Sequence, residues 1–257
     1  MRDFFLKIFS NEIGGPDITL FGFFHILYFL LIVGGTFLLN YLIRNKTQEQ
    51  KKKVLDIMSL ILVILYLGDF LVHPFIHGEQ ALNVDKLPFH ICTCSCILIA
   101  ITRIFPNYTK RIKTAVTVLG LVGALMYITC PNGAVGPGTK AFSYVIIQTF
   151  IYHGILFAYG VTAIISQDVQ VEYKKIYVEA IIIACLDLIA LGANAAYSSE
   201  EHHYDWFFVT GSSFGVSPYL MPFLIFIIIF AMCNAIYLIT YGVKKIIEKK
   251  KLKTSAE

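Results

Sequence analysis

Seven apolar runs, each about as long as a membrane crossing, constrain this chain more than any other feature of its sequence. They lie approximately at residues 20–43, 54–75, 88–105, 112–130, 141–166, 174–197 and 215–241. A helix rises 1.5 Å per residue, so about 20 residues cross a hydrocarbon core about 30 Å thick. Backbone groups in lipid must pair within a helix or a closed barrel, and the alternation typical of barrel strands does not occur here. The runs predict an all-α, polytopic bundle of seven transmembrane helices, in a single domain over 1–257.

The composition agrees with a bilayer as the solvent. Hydrophobic residues make up 57% of the chain and charged residues 15%, which leaves more apolar surface than a soluble domain could bury. Residues 1–19 lack the pattern of a cleaved signal peptide, so the first helix is expected to act as an uncleaved anchor. Six cysteines lie inside or at the edge of the apolar runs, where disulfides are not expected.

The orientation follows from the basic residues, because Lys and Arg near helix ends are retained in the cytoplasm. Seventeen of the 21 basic residues fall in the connections 44–53, 103–113 and 167–175 and in the tail after residue 243. The alternate connections hold the other four. This predicts an outside N-terminus, a cytoplasmic basic tail at 244–257 and a multi-pass protein of the cell membrane. The net charge of +4 is then explained by topology and anionic lipid headgroups, without nucleic acid as a partner.

Polar residues inside the predicted helices collect on the outer side. All seven histidines lie in the outer half, in an outer connection or near the midplane: His25, His73, His77, His90, His153, His202 and His203. Asp69, Asp187 and Asn194 lie on the outer parts of their helices. Ionisable groups are costly in a membrane unless they face a cavity or each other. The pattern predicts one outward-opening pocket.

Two candidate groups stand out in this pocket. Asp69 and His73 are four residues apart, so the carboxylate could orient the imidazole, either for function or as a structural pair. Cys92 follows Pro88 at the start of the third helix, where the partial positive charge stabilises a thiolate. His90 lies on the opposite face, so a base for Cys92 would come from His153 or His73. The alternative for Cys92 is inert packing.

Several motifs resemble the bacterial YwaF-type integral membrane proteins over nearly the whole chain. They are Phe21-Gly22-Phe23-Phe24-His25, Leu87-Pro88-Phe89-His90-Ile91-Cys92, Thr129-Cys130-Pro131, His153-Gly154, and Asn194 with Tyr197. That family is distantly similar to a eukaryotic transmembrane acyltransferase acting on ether phospholipids. The resemblance implies a cysteine nucleophile with a histidine partner, matched here by Cys92 and His153. The chain departs from it at Cys94 and Cys96, at Cys130 and in a shorter asparagine motif.

The leading hypothesis is therefore a lipid acyltransferase or acyl hydrolase with membrane lipids as partners and no cofactor. Cys92 would attack the ester, His153 would carry the proton, and His90 or Asn194 would stabilise the oxyanion. Asp69, His73, His25 and Asp187 would support the site or bind substrate. A second enzymatic reading places zinc among His73, His90 and His153. A third reading is a transporter or sensor that binds a solute or a proton at the same histidines and carboxylates.

Overall fold

The computed structural model describes residues 14–77, 84, 87–131, 134–199, 203–210 and 215–254, without the side chains of 72–77, 247, 248 and 250–254. The described part contains seven helices of 14 residues or more: α1 Phe23–Ile43, α2 Gln48–His77, α3 Ile91–Ile104, α4 Lys113–Thr129, α5 Tyr144–Ile165, α6 Tyr177–Tyr197 and α7 Met221–Thr254. Single helical turns occur at Pro106–Thr109, Tyr173–Lys175 and Trp206–Phe208. The described residues form no β-strand, and their β pairing is one isolated bridge between Asp17 and Lys140.

Five of these helices are long and apolar enough to cross a membrane, namely α1, α2, α5, α6 and α7. This confirms the prediction of a helical, multi-pass membrane protein. The helices α3 and α4 have 14 and 17 residues. At 1.5 Å per residue they rise roughly 21 and 25 Å, which is less than the hydrocarbon thickness. Seven crossings and the outside position of the N-terminus therefore stay predictions.

The start of α2 shows why helix bounds differ from the apolar runs. The Thr47 hydroxyl accepts the Gln50 N–H at 3.3 Å, and the Gln50 side-chain oxygen accepts the Thr47 N–H at 3.1 Å. This reciprocal capping box begins the helix at Gln48, well before the apolar run at 54. At the other end the helix continues through Pro74 to His77.

The centre of the bundle is α4, which contacts α3, α5, α6 and α7. Eleven of its 17 residues are buried, including all of 115–124. Glycine allows the closest of these approaches, because a Cβ on Gly160 of α5 would lie 2.7 Å from the Cβ of Leu121. By contrast, α1 turns most of its apolar side chains outward, as a lipid-facing helix does. The core therefore encloses α3, α4 and α5 far more tightly than α1.

Ion pairs hold the helices together at one end of the bundle. The Arg103 guanidinium donates to Asp56 at 2.6 Å and to Asp168 at 2.7 Å, and Lys113 lies 2.8 Å from Asp168. These contacts join the start of α2, the end of α3, the start of α4 and the segment after α5. Each buried charge has an opposite partner, so the network is structural and presents no open site.

Candidate functional site

Cys92 lies in the first turn of α3. The helix begins at Ile91, and not at Pro88 as expected, because His90 has an extended backbone at φ −85° and ψ 151°. Residues 87–90 form a turn in which the Phe89 N–H binds the Leu87 carbonyl at 2.8 Å. No side chain caps the helix N-terminus. Cys92 is thus the second helical residue and is 7% exposed.

Helices α4 and α5 close around Cys92. A Cβ on Gly123 of α4 would lie 3.2 Å from the Cys92 sulfur, so glycine lets the thiol approach the helix closely. From α5, the Tyr152 hydroxyl donates to the Cys92 carbonyl at 3.1 Å. The other two thiols of the segment point elsewhere, since Cys94 donates to the Pro88 carbonyl at 2.6 Å and Cys96 approaches Tyr152.

His153 is held in one tautomer and one orientation. Its Nδ1 lies 2.8 Å from the Thr149 carbonyl, which can only accept, so Nδ1 carries the proton. The ring stacks on Tyr127 of α4, with centroids 3.8 Å apart and planes at 6°, and meets the edge of Tyr152 at 5.0 Å. Among the described residues, none hydrogen-bonds to Nε2. The neutral ring therefore keeps an available lone pair on Nε2.

Cys92 and His153 face the same strip of α4. Gly123, beside the thiol, and Tyr127, under the imidazole, are four residues apart and so one helical turn from each other. Within the described residues the thiol and the imidazole form no hydrogen bond, so a proton transfer needs a side-chain rotation or an intervening water. We call Cys92, Gly123, Tyr127, Thr149, Tyr152 and His153 the His153 site.

His90 lies beside this site. It precedes α3, and its Nδ1 accepts the Phe207 N–H at 3.4 Å. Its imidazole is close enough to act electrostatically on His153. Phe207 and Phe208 both have left-handed backbones, with φ of 62° and 59°, so the loop that reaches His90 is locally strained.

His25 has a different environment from the one expected. Its Nδ1 accepts the Phe21 N–H at 2.9 Å, and its Nε2 donates to the Ile128 carbonyl at 2.9 Å. Both ring nitrogens are therefore used in joining the start of α1 to the end of α4. This imidazole has no nitrogen left for a substrate.

Asn194 is similarly committed. Its amide oxygen accepts the Trp206 N–H at 2.9 Å, and its amide nitrogen donates to the Trp206 carbonyl at 3.1 Å. The side chain thus fixes the loop after α6 to that helix. An oxyanion contact from Asn194 would require breaking these bonds.

The two carboxylates of the predicted pocket have different surroundings in the structure. Asp69 on α2 is half-buried and acts electrostatically on Tyr66, Tyr127 and Tyr144, so it lies near the His153 site. Asp187 on α6 is buried, and none of the described titratable groups acts on it. The His73 side chain, like those of His77 and His202, lies outside the described residues, so the Asp69–His73 pair stays a prediction.

No group of three His, Cys, Asp or Glu side chains among the described residues is placed to hold a metal ion. The zinc hypothesis used His73, whose side chain is outside that part of the chain. All six cysteines are unpaired.

Four residues of the His153 site were not predicted from the sequence, namely Gly123, Tyr127, Thr149 and Tyr152. Tyr127 stands two residues before Thr129-Cys130-Pro131, and Tyr152 directly precedes His153. A tyrosine in an apolar helix that also contains a histidine can indicate a polar site, because a buried tyrosine hydroxyl usually forms a hydrogen bond. Nothing in the sequence marks Gly123.

The chain was compared with protein families, curated proteins and solved structures. None of the curated proteins and none of the solved structures compared with the chain matches it. The model of the TMEM164 family matches residues 20–246.

Proposed function

The chain belongs to the TMEM164 family of transmembrane proteins, and from this membership and the His153 site we propose that it transfers acyl chains of membrane lipids. Cys92 is the nucleophile and His153 the base. The observation that carries the proposal is the fixed tautomer of His153, whose Nδ1–H binds the Thr149 carbonyl while Nε2 stays available. Its ring stacks on Tyr127, one turn of α4 from Gly123, which lies beside the Cys92 thiol.

The proposed reaction has two balanced halves. His153 Nε2 takes the proton of the Cys92 thiol, and the sulfur attacks the ester carbonyl of a phospholipid. The tetrahedral intermediate expels the lipid alkoxide, which takes the proton from His153, and Cys92 keeps the acyl chain as a thioester. A lysophospholipid hydroxyl then gives its proton to His153 and attacks the thioester, which restores the thiol. If water replaces that hydroxyl, the product is a fatty acid and the activity is hydrolysis.

The start of α3 suits the negative charge of this intermediate. The first helical N–H groups have no side-chain cap, and the partial positive charge of a helix N-terminus favours anions. These amides, with His90 beside them, are the oxyanion donors that we propose. Asn194, considered for this role from sequence, is bound to Trp206.

The test uses purified protein in vesicles that contain a phospholipid with an isotope-labelled acyl chain and an unlabelled lysophospholipid. We expect labelled chains to move to the acceptor, and the peptide containing Cys92 to carry an acyl adduct that hydroxylamine removes. Cys92→Ala should abolish both signals. Cys233→Ala is the control, because Cys233 is a fully buried thiol of α7 that packs in a different part of the core from Cys92.

Each alternative predicts a different result in the same vesicles. Transfer that persists in Cys92→Ala and stops when a chelator removes metal would favour the zinc hydrolase. Unchanged lipids together with movement of a solute across the vesicle would favour a transporter. Either result would overturn the thiol mechanism.

A further inference from the structure

A carboxylate outside the His153 site is buried, and neither of its oxygens has a well-directed hydrogen bond within the described part of the chain. Glu179 is the third residue of α6 and is 1% exposed. The titratable groups that face it are the Tyr237 hydroxyl and the Cys233 thiol of α7. Neither forms a well-directed hydrogen bond to a Glu179 oxygen. The two α7 side chains are themselves buried in the core.

The surroundings supply no positive charge to this carboxylate. Of the described residues, no Lys, Arg or His acts on Glu179. The neighbouring charge from the segment before α6 is Glu172, which is exposed and lies near Tyr237. Lys175 donates to Glu172 at 2.9 Å, and Lys174 and Lys244 are also close enough to lower the pKa of that carboxylate. Glu172 is therefore ionised, and these surface lysines offset its charge.

A second carboxyl group on the same helix is in a similar position. Asp187 lies eight residues after Glu179, roughly 12 Å further along α6. It is 6% exposed, and its Oδ1 has no hydrogen-bond partner among the described residues. Ile183, fully buried, separates the two groups. The interior face of α6 thus contains two buried carboxyl groups on which no cation of the described residues acts.

An ionised carboxylate in such a layer requires a cation, and the ligand atoms present determine which one. One carboxylate, one phenol and one thiol are too few oxygen ligands for Ca²⁺ or Mg²⁺, which require six or more, including water. A proton requires only one carboxyl oxygen and no further ligand. It also removes the cost of burying the charge.

We propose that Glu179 is a reversible proton-binding site between α6 and α7, with Asp187 as a second such site deeper in the bundle. The proton comes from water at the surface near Glu172 and returns there. This site is independent of the acyl-transfer proposal, because it uses neither Cys92 nor His153. It would make the packing of α6 against α7 respond to pH.

Infrared spectroscopy of the purified full-length protein tests this inference. At about pH 6 exposed glutamates are ionised, so a protonated-acid carbonyl band reports buried groups. We expect such a band in the wild type, its partial loss in Glu179→Gln, and no change in Glu172→Gln, the exposed control. Asp187→Asn should remove a second component. The band should disappear and return as the pH is raised and lowered while Trp206 fluorescence shows a folded protein.

Two results would overturn the proposal. One is a spectrum in which Glu179→Gln leaves the acid band unchanged. The other is an acid band that persists until the protein unfolds, since a permanently neutral acid is not a binding site. If Glu179→Gln does not fold, isotope-labelled glutamate in the wild type decides the question. A protonated-acid band must then shift on labelling, and its failure to shift would also reject the site.

Discussion

His25 and His153 are two buried histidines of the same bundle, 3% and 8% exposed, yet their surroundings give them opposite capacities. Both nitrogens of His25 are bonded to backbone groups, one of Phe21 just before α1 and one of Ile128 in α4. His153 has one nitrogen bonded to Thr149, and its ring is clamped between two tyrosines. The difference is one hydrogen bond, and it separates an imidazole that joins helices from one that can accept a proton.

Burial alone therefore does not distinguish a histidine that joins helices from one that can take a proton. A satisfied imidazole stabilises the fold because each bond removes a buried polar group from an apolar layer. An imidazole fixed at one nitrogen and available at the other is instead oriented for proton transfer. Matched substitutions at the two positions should therefore affect different properties.

The largest expected effect comes from substituting each of the two histidines in a separate variant. His153→Gln should lower acyl transfer by about 10²–10⁴, because it removes the general base. Its unfolding midpoint should change little. His25→Ala should instead lower the free energy of unfolding by about 1–3 kcal/mol, because it leaves the Ile128 carbonyl without its donor. Transfer per folded molecule should remain.

Trp206 provides the measurement of stability, because it is the single tryptophan of the chain and is 2% exposed. Its fluorescence during thermal unfolding reports the folded fraction, and labelled-chain transfer at a temperature below unfolding reports activity. Equal losses of transfer in both variants at equal folded fraction would break the distinction between the two histidines.

The helical membrane fold could be predicted from the sequence because the lengths of the apolar runs match the thickness of a bilayer. An apolar stretch of about 20 residues has few alternatives to a helix. Caps were not accessible in the same way, since Thr47 and Gln50 extend α2 with polar residues outside the run. The apolar run at 88–105 likewise gave no indication of the turn before Ile91, which places Cys92 in the second helical position.

The site was accessible only in part. Cys92 and His153 were predicted from sequence motifs. The hydrogen bonds of His25 could not be predicted, because one of them joins residues 103 positions apart and no local pattern indicates it. Asn194 was expected in the pocket, but its partner Trp206 is set by the course of a loop. Glu179 is indistinguishable in sequence from a charge at a helix end, because its burial depends on α7 packing over it.

A second, smaller effect is expected from the glycine beside the thiol. A Cβ on Gly123 would lie 3.0 Å from Ile91 Cγ2 and 3.2 Å from the Cys92 sulfur, so Gly123→Ala should displace the thiol from its position facing α4. Overpacking of this kind costs about 1–3 kcal/mol, and a barrier raised by about 1.4 kcal/mol slows transfer roughly tenfold.

Gly120→Ala is the matched control for that experiment. Its Cβ would lie 3.2–3.3 Å from Ile99, Leu156 and Ser95, so it introduces similar crowding on α4 without touching Cys92. We expect Gly120→Ala to shift the unfolding midpoint comparably while transfer per folded molecule is retained. If both alanines slow transfer equally, the proximity of the thiol to α4 is irrelevant to catalysis.

The smallest expected effect on acyl transfer comes from substituting Tyr127, the ring that stacks on His153. Tyr127→Leu removes the aromatic stack, worth about 0.5–1.5 kcal/mol, and should lower transfer by less than about tenfold, because the Thr149 bond still sets the tautomer. Tyr127→Phe keeps the stack and should retain most of the rate. The turnover at saturating lipid should fall in the leucine variant while the apparent affinity for lipid is unchanged, since Tyr127 orients the base. A loss confined to lipid affinity would mean that Tyr127 lines the substrate pocket instead, and the clamp on His153 would then rest on Tyr152 and Thr149 alone.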